Sequence, residues 1–335
     1  MIKVGLVGYG LAGAVFHEPL LSASDEFELT GVLTSRNHPM GVASIDELLR
    51  RSDLVVVASP NATHFPLAKA ALEGGKHVVV DKPFTVTLDE ADQLIDLAGK
   101  QKRQLGAFHN RRWDGDFLTV EQIVGELGEV LLFEANWDRF RPAIKEGWRE
   151  EGGLGAGLLS DLGPHLIDQA LRLFGMPDAL AADIIAQRPG AKVDDYFELT
   201  LHYGKMRACL RSSTLIASPR PRFAMHGTGG SFVKHGLDPQ ESQLKSGMDP
   251  RNPLFGVAEE NATLVLADGR TRVVTPERGR YLFFYEQVAA AILSGAPLPV
   301  LAEEAREGLL LIDLARQAAQ EGRLLPVQDA SSTAD

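Results

Sequence analysis

The sequence predicts an α/β protein with two domains: an N-terminal domain around a parallel sheet, and a C-terminal α+β domain around a mainly antiparallel, open sheet. Three observations lead to this prediction. The chain has 335 residues, which corresponds to about two domains of ~150 residues each. In its first third, strand-like runs alternate with helix-like segments, whereas later strand-like runs follow one another directly. The pattern changes near residue 118, so we predict domains at residues 1–118 and 119–335.

The N-terminal domain is predicted from buried strands separated by helices. Residues 53–58 read Asp-Leu-Val-Val-Val-Ala, a run typical of a strand that is buried on both faces. The other predicted strands are residues 2–7, 27–33, 77–80 and 104–108, and the predicted helices are residues 12–22, 63–73 and 88–101. Right-handed crossovers between such strands give a parallel sheet, and this alternation is typical of the Rossmann class.

The C-terminal domain is predicted from strands that meander. Gly204 and the pair Asp268-Gly269 are hairpin signals. The predicted strands are residues 129–138, 181–187, 195–203, 205–214, 222–226, 263–267 and 272–275, and the predicted helices are residues 158–174, 281–293 and 302–322. Such strands beside a few helices favour an antiparallel sheet. We expect a ligand cleft between the two domains, where such sites are common.

Composition and charge exclude several classes of protein. A hydrophobic fraction of 44% and a charged fraction of 24% are ordinary for a globular chain. The net charge of -11 disfavours nucleic-acid binding, because such a surface repels phosphate. Cys209 is the only cysteine, which excludes an intramolecular disulfide and a multi-cysteine zinc site. We find no metal-binding motif, no signal-peptide layout and no membrane-length apolar run, so we expect a metal-free cytoplasmic protein that binds no membrane.

A glycine-rich turn follows the first predicted strand and precedes a helix. Its six residues match G-x-G-x-x-G: Gly8, Tyr9, Gly10, Leu11, Ala12 and Gly13. In this context the pattern predicts a dinucleotide site with the pyrophosphate at the helix N-terminus, although it also occurs as a purely structural turn.

The end of the second predicted strand indicates which dinucleotide binds. NAD sites usually carry an acidic residue there, but this chain has Thr34, Ser35, Arg36 and Asn37. Hydroxyls and a guanidinium suit a 2′-phosphate, so we predict NADP, with NAD as a possible second cofactor. The alternative is that Arg36 is a solvated loop residue.

Several polar groups follow the later strands of the first domain. Lys82 lies in the segment Asp81-Lys82-Pro83-Phe84, which directly follows a buried strand. This is the edge where open α/β sheets bind ligands, and Lys82 could hold a reacting hydroxyl there. Pro60, Asn61 and His64 follow the preceding strand and could meet the nicotinamide ribose. The alternative for Lys82 is an ordinary surface lysine.

A second group of polar residues falls on the helix predicted at residues 158–174. Asp161 and His165 are four residues apart and share one face, where an imidazole is suited to general acid–base work. Pro164 complicates this geometry, because a helix containing it would start near Gly163 or kink there. The alternative is a solvated polar face.

Other candidates for contacts with a hydroxyl-rich ligand combine amide, guanidinium and aromatic groups. They are Asn110, Arg111, Trp137 and Arg139. The same residues could instead form the domain interface.

Together these motifs resemble the Gfo/Idh/MocA family of NAD(P)-dependent oxidoreductases over nearly the whole chain. The resemblance rests on the glycine turn, on Asp81-Lys82-Pro83 where the family usually has Glu-Lys-Pro, and on Gly157, Asp161 and His165. Asp81 keeps the charge of the usual glutamate but has a shorter reach. The stretches 8–17, 34–36, 109–114 and 173–177 are similar to NADP-dependent inositol dehydrogenases within the family.

The resemblance implies a reaction and roles for three residues. Lys82 would contact the reacting hydroxyl and the nicotinamide, His165 would be the acid/base, and Asp161 would orient the substrate or the histidine. The expected reaction is hydride transfer between NADP and a ring carbinol or ketone of a cyclic polyol, such as scyllo-inositol or its inosose. The family's open sheet also implies a homodimer or homotetramer.

Two alternatives to this function stay open. The substrate could be an aldose or another sugar derivative, which a panel of inositols and sugars would distinguish. The chain could also be a non-catalytic NADP-binding sensor, but such a sensor should lack the lysine or the histidine.

Overall fold

The computed structural model describes residues 1–144, 147–153 and 155–327. The tail at 328–335, the end of the predicted second domain, lies outside the described residues. The chain forms two compact units. The first comprises Met1–Gly115, Asp238–Val257 and Arg278–Leu309; the second comprises Asp116–Leu237, Ala258–Glu277 and Leu310–Asp335. The division at residue 118 stays a prediction of functional domains, since two later segments group with the N-terminal part.

The first unit contains a six-stranded parallel sheet in the order β3-β2-β1-β4-β5-β6. This is the strand order of a Rossmann fold. The strands are β1 (Ile2–Val7), β2 (Phe27–Leu33), β3 (Gly41–Val42), β4 (Leu54–Val57), β5 (His77–Val80) and β6 (Leu105–Ala107). Every side chain of β4 is buried, because helices cover both faces of such a sheet. The predicted parallel sheet is confirmed.

Helices of the first unit come from its early and its later segments. They are α1 (Glu18–Ser22), α2 (Ile45–Arg51), α3 (His64–Glu73), α4 (Leu88–Gln101), α8 (Gln240–Lys245) and α9 (Leu282–Ser294). A π-helical turn at Ala12–His17 leads into α1. Thr87 caps α4 by accepting from the Glu90 amide, and the Glu90 carboxylate accepts from the Thr87 amide, which satisfies two donors that the helix leaves open.

The second unit contains a nine-stranded sheet in the order β14-β13-β12-β11-β7-β10-β9-β8-β15. Neighbouring strands are antiparallel except β7 and β10. The strands are β7 (Val130–Asn136), β8 (Ala179–Ile185), β9 (Tyr196–Tyr203), β10 (Met206–Ser213), β11 (Phe223–Gly227), β12 (Gly230–Lys234), β13 (Ala262–Leu266), β14 (Thr271–Val274) and β15 (Leu325–Pro326). The mainly antiparallel sheet is confirmed.

One face of this sheet packs against helices. On β9, Phe197, Leu199 and Leu201 are buried, and the residues between them are partly exposed. The helices that share a buried core with this face are α5 (Gly115–Ile123), α7 (Leu158–Phe174) and α10 (Ala302–Glu321), whose first residues belong to the first unit. A short helix, α6 (Trp148–Glu151), precedes α7. The alternation on β9 is the expected pattern of an antiparallel sheet with one packed face.

Helix α7 begins at Leu158, as predicted, and runs through Pro164, so a start near Gly163, one of the two alternatives considered for Pro164, is excluded. A proline restricts its preceding residue partly through a clash with that residue's Cβ. Gly163 has no Cβ, which removes part of this clash. Sequence reasoning also missed seven short elements, none longer than nine residues: α2, α5, α6, α8, β3, β12 and β15. Within the described ranges, no helix combines the length and apolarity needed to cross a membrane.

Candidate functional site

The glycine turn follows β1, and each of its glycines has a different environment. Gly8 has a φ of +95°, and an added Cβ there would lie 2.5 Å from the carbonyl oxygen of Ala58. At Gly13 an added Cβ would lie 2.2 Å from the Gly8 carbonyl oxygen. At Gly10 it would meet no protein atom within 4 Å. Packing therefore requires Gly8 and Gly13, whereas Gly10 keeps the backbone accessible, as the approach of a pyrophosphate demands.

A polar cluster that sequence reasoning missed supports this turn. The Tyr9 hydroxyl donates to Glu18, and Nε2 of His38 lies 3.2 Å from the other oxygen of that carboxylate. The hydrogen bond to Glu18 is the main cause that raises the pKa of Tyr9 to about 12. Glu18 thus connects the glycine turn to the loop after β2.

That loop contains the predicted determinants of cofactor choice. The Arg36 amide donates to Oγ1 of Thr34 over 3.1 Å, and both Ser35 and Arg36 are exposed. Within the described chain, the Arg36 guanidinium makes no ion pair. These donors fit a 2′-phosphate, which accepts hydrogen bonds and carries negative charge.

The loop after β4 contains Pro60 and Asn61, and the buried His64 begins α3. The two ring nitrogens of His64 lie 2.8 Å from the Pro83 carbonyl oxygen and 2.9 Å from the Ser59 carbonyl oxygen. Because both nitrogens face backbone oxygens, the ring connects two loops at the sheet edge. This placement favours loop support by His64, rather than direct cofactor contact through its ring.

Lys82 is the second residue after β5 and is partly exposed, and the Lys82–Pro83 peptide is cis. The Asp81 amide continues the ladder by donating to the Val57 carbonyl over 2.8 Å. The carboxyl ends of β1, β2, β4 and β5 lie at one edge of the parallel sheet, where such folds bind ligands. The structure therefore brings the glycine turn, the Arg36 loop and Lys82 to the same edge.

Asn110 and Arg111 follow β6 in a buried 3₁₀ turn. The Arg111 guanidinium donates to Tyr281 and to Glu241, and lies 3.4 Å from an Asp114 oxygen. Burying a guanidinium is tolerated when carboxylates compensate its charge. We therefore assign Arg111 to the interior of the first unit and do not include it in the substrate site proposed below.

In the second unit, the structure brings Trp137 and His165 together. Trp137 follows β7 and His165 lies in α7; their rings are stacked, with centroids 6.1 Å apart and planes 29° apart. Both side chains are buried, with His165 5% exposed. The Arg222 guanidinium lies over the Trp137 indole in a cation–π contact, 5.0 Å from the ring centroid. It also donates to the Gln169 side chain over 2.7 Å. Packing thus fixes the orientation of both rings.

Asp161 lies one turn before His165 on α7. Its carboxylate is 3.6 Å from the Arg139 guanidinium, and both side chains are about one-quarter exposed. Arg139 also lies 5.8 Å from the Trp137 ring. The structure therefore brings four candidate residues of this unit into one cluster: Trp137, Arg139, Asp161 and His165.

The N-terminus of α7 is supported by a residue that the sequence analysis did not identify. Asp194, in the loop before β9, accepts from the Leu159 amide over 2.6 Å. Burial raises the pKa of this carboxyl. Gly157 precedes the helix with a φ of +91°, and a Cβ there would lie 2.1 Å from an Asp194 oxygen. The glycine of the G-x-x-x-D-x-x-x-H pattern is thus required for Asp194 to reach the helix.

Metal-ligating residues do not cluster in the part of the chain that the structure describes: no group of three or more His, Cys, Asp or Glu side chains could hold an ion. The candidate catalytic groups are the Lys82 ammonium in the first unit, and the His165 imidazole with the Asp161 carboxylate in the second. These groups suit proton transfer and stabilisation of negative charge on an oxygen.

A Rossmann sheet with a glycine turn at its ligand edge, together with a second unit built on a mainly antiparallel sheet, is an architecture typical of NAD(P)-dependent dehydrogenases. Two family models match the chain. The "Oxidoreductase family, NAD-binding Rossmann fold" covers residues 2–109, and the "Oxidoreductase family, C-terminal alpha/beta domain" covers residues 120–328. The chain belongs to the Gfo/Idh/MocA oxidoreductase family, which confirms the resemblance.

Several relatives match almost full length. Scyllo-inositol 2-dehydrogenase (NADP(+)) IolW of Bacillus subtilis is 37% identical, with 98% of this chain and 96% of the relative covered. The uncharacterized oxidoreductase YdgJ of Escherichia coli is 43% identical, with 95% and 96% covered. The solved structure of the oxidoreductase YvaA of Bacillus subtilis superposes with a TM-score of 0.95 at 38% identity, covering 98% of each chain.

Proposed function

We propose that the protein is an NADP-dependent dehydrogenase that interconverts a ring carbinol and ketone of a cyclic polyol such as scyllo-inositol. The observation that carries this proposal is the α7 cluster, in which His165 is held against Trp137 one turn after Asp161. The activity in the name of the Bacillus subtilis relative supports the substrate class. An aldose or other sugar derivative is the second candidate, favoured by the 29% identity to glucose-6-phosphate 3-dehydrogenase of Bacillus subtilis.

The cofactor proposal assigns NADP to the edge of the parallel sheet. Residues of the glycine turn (Gly8, Gly10, Leu11, Ala12 and Gly13) would hold the pyrophosphate, while Ser35 and Arg36 would hold the 2′-phosphate. Pro60, Asn61 and Lys82 would lie along the nicotinamide end, with His64 supporting their loops. When bound, NADP supplies the hydride chemistry at the carbinol carbon.

The chain's own groups would perform the proton chemistry. His165 would take the proton of the substrate hydroxyl during oxidation and return it during reduction, a contribution of typically ~10²–10⁴ in rate. Lys82 would stabilise negative charge that develops on a substrate oxygen. Asp161 and Arg139 would orient the substrate hydroxyls, with Asn110 and Trp137 as further contacts.

The test combines turnover with cofactor binding. We expect His165→Ala and Lys82→Ala each to lower kcat by roughly 10²-fold or more, with NADPH binding by fluorescence retained in His165→Ala. Leu158→Met, a conservative change on the same helix, serves as the matched control and should keep turnover. Near-normal turnover of either alanine variant would remove that residue from the mechanism.

A substrate panel decides between the two candidates. Wild-type protein is assayed with scyllo-inositol, other inositols and aldoses, using NADP and NAD in parallel. Preferred oxidation of aldoses would replace the polyol proposal by the second candidate. No reaction with any carbinol would favour the non-catalytic sensor.

We further propose that two or four copies associate through the partly exposed face of the nine-stranded sheet.

A further inference from the structure

Two buried polar side chains lie behind the lysine segment, which we define as residues 81–83. His17 ends the π-helical turn, and Tyr285 lies in α9. The Tyr285 hydroxyl is 2.6 Å from Nδ1 of His17, and both side chains are 0% exposed. Phe108 packs against both rings, with centroids 4.3 Å and 6.0 Å away. Burial raises the pKa of Tyr285 well above its usual value, so the hydroxyl keeps its proton and can donate it to Nδ1.

The other ring nitrogen of His17 faces the lysine segment. When Nδ1 accepts from Tyr285, the ring proton of a neutral histidine is on Nε2. Nε2 lies 3.9 Å from Oδ1 of Asp81. This distance exceeds a hydrogen bond, so the contact is electrostatic. Tyr285 therefore selects the tautomer that presents a positive edge to the carboxylate.

The charge of Asp81 depends on this contact. Burial favours the neutral acid, but the groups that face Asp81, namely His17, Lys82 and His64, outweigh burial, so the pKa of Asp81 lies below its usual value. From α9, the polar group that faces His17 is the Tyr285 hydroxyl. Phe108, which follows β6 and packs on His17, is apolar. His17 is thus the main neighbour that keeps Asp81 ionised.

The other end of the lysine segment is also supported by a buried histidine. His64 approaches the Pro83 carbonyl oxygen within 2.8 Å. Lys82 therefore lies between two residues, Asp81 and Pro83, that each contact a histidine of another element. A backbone segment that is held at both ends has less freedom to move, and small displacements of a catalytic group that it carries are costly.

We propose that His17, oriented by Tyr285, is a positioning residue that fixes Asp81 and thereby places Lys82 for catalysis. The pair touches neither substrate nor cofactor and acts through the backbone of the lysine segment. This inference rests on the proposed function for its effect on turnover, but its structural part is independent of the substrate.

The experiment compares three variants in the full-length protein. His17→Phe removes both polar contacts, and Tyr285→Phe removes only the hydroxyl. Tyr281→Phe is the matched control: it removes an equally buried hydroxyl one turn earlier, which contacts Asp114 and Arg111 rather than His17. His17→Gln, whose amide can still donate towards Asp81, tests rescue by a neutral donor.

The readout independent of substrate is hydrogen–deuterium exchange of the peptide that covers residues 78–88. We expect faster exchange there in His17→Phe and Tyr285→Phe, with protection of β1 retained, and no local change in Tyr281→Phe. Unchanged exchange around Lys82 in both variants would overturn the proposal. Equal acceleration throughout the first unit would also overturn it, since that indicates only a loss of global stability.

The kinetic readout separates positioning from binding. We expect kcat to fall roughly 10–100-fold in His17→Phe and about 3–10-fold in Tyr285→Phe, with an intermediate value in His17→Gln. The acid limb of the kcat profile should move to higher pH in His17→Phe, because Asp81 loses the neighbour that lowers its pKa. A lower affinity for NADPH with unchanged kcat would contradict the proposal. If wild-type protein oxidises no carbinol while local exchange still responds, the proposed function fails and the positioning role stands.

Discussion

At the residue scale, three of the four histidines that are buried in the described chain have three different surroundings. His17 contacts a hydroxyl and lies near a carboxylate, His64 faces two backbone carbonyls, and His165 stacks on an indole. These surroundings suit different tasks, since His64, with both ring nitrogens on backbone oxygens, is suited to holding two loops. The position of His165 against an indole and one turn after Asp161 supports its proposed role as the acid/base.

Arg36 offers a prediction about cofactor selection. Its guanidinium is exposed and makes no ion pair with the described residues, so it is available for a 2′-phosphate. We expect Arg36→Ala to raise the Kd for NADPH at least about tenfold, the equivalent of ~1.4 kcal/mol, while the Kd for NADH changes little. Fluorescence titration with both cofactors measures this ratio.

The control for Arg36 lies in the same unit. Arg50→Ala removes a cation from the last turn of α2, and we expect it to leave the ratio of the two dissociation constants unchanged. An equal loss of NADPH and NADH affinity in Arg36→Ala would contradict selection by this residue. It would indicate that Arg36 supports the loop rather than the phosphate.

At the element scale, helix α7 shows how backbone geometry prepares a site. The helix carries Asp161 and His165, and its first turn receives a cap from Asp194 in another loop. Gly157 makes that approach possible because no Cβ occupies the space. A helix end that is capped by a distant residue couples the position of the helix to the β8–β9 connection.

The two glycines that flank α7 provide a matched pair of variants. Gly157 and Gly175 both have positive φ, but only Gly157 would bring a Cβ against another residue. We expect Gly175→Ala to cost about 1–2 kcal/mol of stability through φ alone, with kcat retained. Gly157→Ala should cost more and also lower kcat, because Asp194 and the first turn must move apart. Thermal unfolding and turnover measure both effects; equal losses in the two variants would exclude a role for the Asp194 contact.

Sequence patterns predicted long strands and helices such as β4 and α7 well, but they did not predict the distant residues that hold these elements and the candidate site in place. The run of valines at β4 and the bounds of α7 followed from local patterns, since apolar periodicity and turn residues are local properties. His17 and Tyr285 are 268 positions apart, and Asp194 follows α7 by a whole strand and turn. No periodicity connects such pairs, so the polar groups of the candidate site could be predicted from the sequence, but the residues that hold them could not. The one sequence signal for such a supporting residue was His17, the histidine that ends the helical turn after the glycine-rich turn.

At the scale of the whole molecule, the first compact unit is assembled from three separate stretches of the chain. Its later stretches contribute α8 and α9 to the Rossmann core, and Arg111 is a point where they join. This guanidinium contacts Glu241 of α8 and Tyr281 next to α9. Because a buried cation needs its partners, the folded conformation of each of these segments depends on the presence of the others.

Glu241 makes this interdependence sensitive to pH. Arg111 and Lys245 outweigh the effect of burial and lower the pKa of Glu241 to about 2. A carboxyl whose pKa is depressed in the folded state stabilises the protein above its unfolded pKa, and this stabilisation is lost as the pH falls towards the folded value. The contribution should therefore be complete above about pH 4.5 and disappear towards pH 2.

We expect Glu241→Gln to lower stability by roughly 1–3 kcal/mol near neutral pH, with the difference from wild type shrinking as the pH falls from about 4.5 towards 2. Thermal or urea unfolding across this range measures it. Asp249→Asn is the control, because it breaks an exposed ion pair with Arg251 in the same later stretch and should leave the unfolding midpoint unchanged. If the Glu241→Gln difference stayed constant down to pH 2, the carboxylate's charge would have no part in joining the stretches. The hydrogen bonds that a neutral amide preserves, and the packing of α8, would then account for the assembly of the unit.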